Sequence, residues 1–69
     1  MIGSHYRVTP SDGDPFIAMI VSLDGGLGVV SNRGGKWTPE TLLTVADLIM
    51  PEQEFNEWDI REFDTMAER

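Results

Sequence analysis

The sequence predicts a small α+β domain: an antiparallel sheet of three to four strands with one helix packed on one face, in the order β-β-β-α-β. Three observations predict it. Phe16–Leu23 is a long apolar run, and Asp24-Gly25-Gly26 turns it back into Leu27-Gly28-Val29-Val30-Ser31, the pattern of a tight hairpin. Thr38-Pro39-Glu40-Thr41 has the make-up of a helix start: a hydroxyl cap, a proline in the first turn and an acid at the positive end of the dipole. Asn56–Phe63 alternates through Trp58 and Ile60 as a closing strand. A helix is the alternative, with Phe55, Ile60, Phe63, Met66 and Ala67 on one face, but it leaves Trp58 outside that face, which favours the strand.

With 69 residues the chain is read as a single domain, 1–69, near the lower size limit for folding without staples. Its ends, 1–4 and 64–69, are expected to fray. There is no cysteine, so disulfides and thiolate metal sites are excluded, and the lone His5 has no carboxylates spaced to join it as metal ligands. Oligomerisation is the remaining way to compensate for a small core. No segment approaches the roughly 20 apolar residues of a membrane span. Met1–His5 lacks the basic stretch and apolar run of a signal peptide, so a cytoplasmic location is expected.

The first strand is placed at His5–Thr9, where Tyr6 and Val8 share one face. Pro10–Pro15 is a turn, with Gly13 expected to supply a positive φ. Asp12-Gly13-Asp14 lacks the further acids and closing glutamate of a calcium loop. In Phe16–Leu23 both faces are apolar, which predicts a central strand covered on both sides. Gly28 predicts a bulge or a close approach. Asn32–Gly35 is a second turn; its glycines do not match a phosphate-binding loop, because Trp37 follows Lys36. The helix is predicted over 38–50, stopped by Pro51, with Trp37 packing as a staple on Leu42. Its apolar arc covers roughly 220°, more than one sheet needs.

The net charge is −7 and is concentrated late in the chain. Residues 1–51 hold five acids against Arg7, Arg33 and Lys36, a net of −2; residues 52–69 hold seven acids against Arg61 and Arg69, a net of −5. Such a field disfavours direct binding of nucleic acid or anionic membrane and favours a protein partner with a basic surface. Catalysis is not expected, since no serine has an evident activating base and no cofactor motif is present.

The functional expectation is a small acidic, non-enzymatic protein-binding module, an adaptor or inhibitor of a host or cellular protein. Its size and charge suit the compact accessory proteins of phages and mobile elements. Trp58 is its expected anchor, flanked by Glu54, Glu57, Asp59 and Glu62. A homo-oligomer, simplest as a homodimer, is expected through Leu43, Leu48, Met50 and Met19. Two alternatives stand beside it: a homo-oligomeric structural or regulatory subunit, and an acidic nucleic-acid mimic using the carboxylates from Glu52 to Asp64 to fill a basic groove of a DNA- or RNA-binding protein.

Overall fold

The computed structural model describes residues 2–50 and 58–63. Among these residues the chain forms one antiparallel sheet of five strands and one short α-helix. The strands are β1 (His5–Thr9), β2 (Phe16–Leu23), β3 (Gly26–Ser31), β4 (Thr38–Pro39) and β5 (Asp59–Phe63), and the helix α1 is Val45–Ile49. The spatial order is β4-β3-β2-β1-β5, a meander whose last strand returns to pair with the first. The sheet is therefore larger than the three to four strands predicted, and the helix much shorter.

The hairpin forms as its residues dictate. Leu23 pairs with Gly26, leaving Asp24 and Gly25 as a two-residue turn with φ of 50° and 80°. Positive φ at both central positions gives the turn whose twist matches the flanking strands, and aspartate–glycine supplies it at little steric cost. The β2–β3 register runs unbroken from Ala18↔Ser31 to Leu23↔Gly26, so Gly28 makes no bulge. It serves a close approach instead: a Cβ there would stand 2.5 Å from Leu23 Cδ1. Gly13, by contrast, does not adopt the positive φ expected of it. Pairing extends ahead of β1, where fraying was expected: Gly3 N–H donates to the Ile20 carbonyl at 2.8 Å and Ile20 N–H to that of Ser4 at 3.1 Å.

The helix start is the main correction. Thr38 and Pro39 lie in β4, paired with Ser31 and Val30, and Glu40 N–H donates to the Val29 carbonyl at 2.8 Å. An edge strand tolerates proline, whose missing N–H interrupts no further ladder. Glu40 then fixes the chain as it leaves the sheet. Its Oε2 accepts from Ser31 Oγ at 3.0 Å and pairs with Arg33 Nε at 3.1 Å, while Oε1 accepts from Leu42 N–H at 3.0 Å. The helix is capped by Thr44: its Oγ1 accepts from Asp47 N–H at 3.1 Å, and Asp47 Oδ2 accepts from Thr44 N–H at 3.0 Å. This reciprocal capping box satisfies two otherwise orphaned donors, which a proline-led start at Thr38 does not.

Register assigns the two faces of the sheet. The inner face presents Tyr6, Val8, Phe16, Ala18, Ile20, Val29 and Ile60, which form the core with Leu43 and Leu48. The outer face carries Phe63, His5, Met19, Val30 and Pro39 in one row across all five strands. Trp37 reaches back over this row, its ring 6.3 Å from that of His5, instead of stapling Leu42. Ile17, Met19, Val21 and Leu23 on the outer face are half-buried. The helix covers only the inner face, so β2 is central but is roofed by a helix on one side.

Tyr6 on the inner face yields a pH prediction. It is 4% exposed and lies opposite Glu62, and burial first, then the Glu62 carboxylate, raise its phenol above the ordinary value. The unfolded phenol titrates near pH about 10. The raised folded pKa means that the fold holds the proton longer than the unfolded chain. This stabilisation is fully present below about pH 10 and is lost as pH rises through the folded value. Tyr6 is the only tyrosine, so a near-ultraviolet tyrosinate titration reports it alone. The midpoint is expected above 10, and lower in Glu62→Gln; an unchanged midpoint in that variant removes Glu62 as a cause.

Candidate functional site

The sheet ends in a groove of about 650 Å³ between the β1–β2 turn and the residues following β3. Its apolar lining comes from Pro10, Pro15, Phe16, Ile17, Leu42 and Trp58, and its charges from Arg7, Asp12, Asp14 and Arg33. Local sequence explains the shape. The two prolines bracket the turn and stop the β1–β2 ladder at Val8↔Phe16. On the other side, Asn32 Oδ1 accepts from Ile17 N–H at 2.9 Å, pinning the start of the second turn to β2. Gly34 and Gly35, with φ of 74° and 88°, then carry the chain through the 3₁₀ turn Arg33–Gly35.

Trp58 stands edge-on to Phe16, with ring centroids 6.4 Å apart and planes at 89°. The Arg33 guanidinium lies over the Phe16 ring at 4.0 Å and 5.8 Å from the Trp58 ring. Cation–ring contact and the Glu40 ion pair together hold Arg33, so its charge is already answered within the chain. Among the described residues, Asp12 and Asp14 are exposed and take part in neither ion pair, Arg33–Glu40 or Arg61–Asp59. The groove thus combines the apolar surface of Trp58 and Leu42 with two carboxylates at its rim, while the Phe16 ring lies buried beneath Arg33.

No match is found among protein-family models, curated proteins or solved structures.

The expected partner-binding residues separate into three groups. Trp58 lines the groove, half-buried and packed against the core. Asp59 and Glu62 project from opposite faces of β5 and so do not converge; Asp59 is engaged by Arg61 at 2.8 Å, an exposed pair of small energetic weight. Glu54 and Glu57 lie outside the described residues. For the oligomer contact, Leu43 and Leu48 are 3% and 1% exposed and fill the chain's own core, leaving no surface for a second chain. Met50 is 45% exposed, and Met19 sits mid-row on the outer face.

Sequence reading missed Phe16, Arg33, Asp12 and Asp14 as groove residues. Asp12 and Asp14 looked like ordinary turn residues, and nothing in a linear pattern places Arg33 over a ring on β2. Among the described residues, no group of three or more His, Cys, Asp or Glu is placed to hold a metal ion, and no helix is long and apolar enough to cross a membrane.

Proposed function

We propose that the chain is a small non-enzymatic protein-binding module whose groove takes a segment of its partner carrying a basic side chain. The observation behind this reading is the groove's composition: the half-buried Trp58 and the exposed Leu42 offer apolar surface to an aliphatic stem, while Asp12 and Asp14 at the rim await a cation. Arg33 does not oppose such a ligand strongly, because Glu40 already neutralises it at 3.1 Å. The net charge of −7 draws a basic partner in at long range.

The test uses a fluorescein-labelled hexapeptide of alternating leucine and arginine, with its leucine–glutamate counterpart for comparison. Fluorescence anisotropy is expected to show binding of the arginine peptide only. The double variant Asp12→Asn/Asp14→Asn should weaken it about ten-fold, and raising salt to about 0.5 M should weaken it further. Equal binding of both peptides, or an unaltered affinity in the double variant, rejects the groove as the site.

A further inference from the structure

We infer that the groove contains a seat for an arginine side chain, and that Arg33 fills this seat in the free chain until a partner's arginine displaces it. This rests on the groove reading and deepens it: the ligand's cation is a guanidinium, and Arg33 is its competitor within the chain.

Arg33 is held as an arginine ligand would be. Its guanidinium lies 4.0 Å over the Phe16 ring and 5.8 Å from that of Trp58, and its Nε meets Glu40 Oε2 at 3.1 Å. A flat cation laid on one ring, near a second and against a carboxylate suits a guanidinium. An ammonium is a compact point charge with no flat face, and matches the seat less well.

The seat is fixed more firmly than its occupant. The Glu40 side chain is nearly buried, and two hydrogen bonds independent of Arg33, from Ser31 Oγ and Leu42 N–H, hold its carboxylate. Phe16 is buried and belongs to the core. Arg33 has a side chain 39% exposed and lines the groove itself. It springs from the 3₁₀ turn Arg33–Gly35, which contributes no buried residue. Moving Arg33 aside thus uncovers a packed ring and a held carboxylate without opening the core.

Charge favours exchange over simple addition. The groove's lining sets Arg7 and Arg33 against Asp12 and Asp14, an even balance. A second cation added beside Arg33 meets like charge. A partner's arginine that replaces it keeps the Glu40 carboxylate answered, so no nearly buried charge is stranded.

Tethering sets the threshold for entry. A competitor on the same chain acts at an effective concentration on the order of millimolar. A lone guanidinium does not overcome that. A segment that also lays an apolar side chain on Leu42 and Trp58, and a second cation at Asp12 or Asp14, gains the extra contacts it needs. Arg33 therefore selects multi-contact ligands over single arginines.

Arg33→Ala empties the seat, and the ethylguanidinium ion is the probe for it. At about 50 mM, with sodium chloride matching ionic strength, it should raise the variant's thermal midpoint by about 4 °C and leave the parent unmoved. Ethylammonium should do less than half as much. The double variant Arg33→Ala/Glu40→Gln should lose the response. The leucine–arginine peptide should bind Arg33→Ala at least about ten-fold more tightly than it binds the parent. If Arg33→Ala fails to fold, Arg33→Lys serves in its place, and the peptide should bind that poorer occupant's chain about three-fold more tightly than the parent. A variant that ignores ethylguanidinium, or answers ethylammonium equally, overturns the inference. A parent that binds the peptide while neither Arg33 variant binds it more tightly also overturns it, and leaves the groove reading intact. A peptide bound by neither parent nor variant rejects the groove reading and the exchange together.

Discussion

Leu48→Ala is expected to destabilise the fold by about 2–5 kcal/mol, enough to unfold much of the protein at 25 °C. Leu48 is 1% exposed and is the buried residue of a helix only five residues long. So short a helix has almost no stability of its own and persists through what it packs against. The variant loses the transfer energy of the side chain and leaves a cavity in the core that the helix shares with the inner face of the sheet, because the sheet beneath cannot collapse to fill it. A domain of this size draws only about 3–5 kcal/mol from its core. Thermal unfolding followed by circular dichroism should show a midpoint at least about 10 °C lower. A midpoint within about 2 °C of the parent would mean that the helix is an ornament on a self-sufficient sheet.

Glu40→Ala comes next, with an expected loss of about 2–4 kcal/mol. One carboxylate, its side chain 7% exposed, answers Ser31 Oγ, Leu42 N–H and Arg33. Removing it strands the Ser31 hydroxyl, in a residue 1% exposed, and stranding a buried polar group costs more than the hydrogen bond contributed. The ion pair adds less, since Arg33 is partly in solvent. Urea unfolding should therefore rank Glu40→Gln well above Glu40→Ala, because the amide oxygen still accepts from Ser31. Adding Ser31→Ala to Glu40→Ala should recover part of the loss, with a coupling of about 0.5–3 kcal/mol. Strict additivity would show that the Ser31 contact carries no energy.

These two residues also mark where the sequence was readable and where it was not. Strand alternation placed β1 and β5 because period-two burial is a local property, and Tyr6 and Val8 declare a face unaided. β2, apolar on both sides, declares no face, and it was the apolar run with its glycine turn that placed β2 and β3. The helix start was not readable because two capping patterns compete within seven residues. Thr38-Pro39-Glu40 and Thr44-Val45-Ala46-Asp47 both resemble a start, and the choice is made by Ser31 and Arg33, which draw the Glu40 carboxylate back to the sheet. A long-range contact overrode a local preference. The same holds for Trp37, whose place over His5 depends on the strand order. The groove was legible only in Trp58, since its other walls come from two turns that meet only once the sheet has formed.

The pairing of β5 with β1 has a consequence for the timing of folding. That ladder joins His5 to Phe63, almost the full span of the chain, while β1, β2 and β3 pair with near neighbours in sequence. The three-stranded meander can assemble first, and the closing strand meets the largest loop-closure entropy. During synthesis, the free edge of β1 waits with Tyr6 and Val8 beside it until residues 59–63 leave the ribosome. In that interval an unfinished chain offers other chains an unpaired, apolar strand edge, the feature most prone to aggregation in a sheet protein.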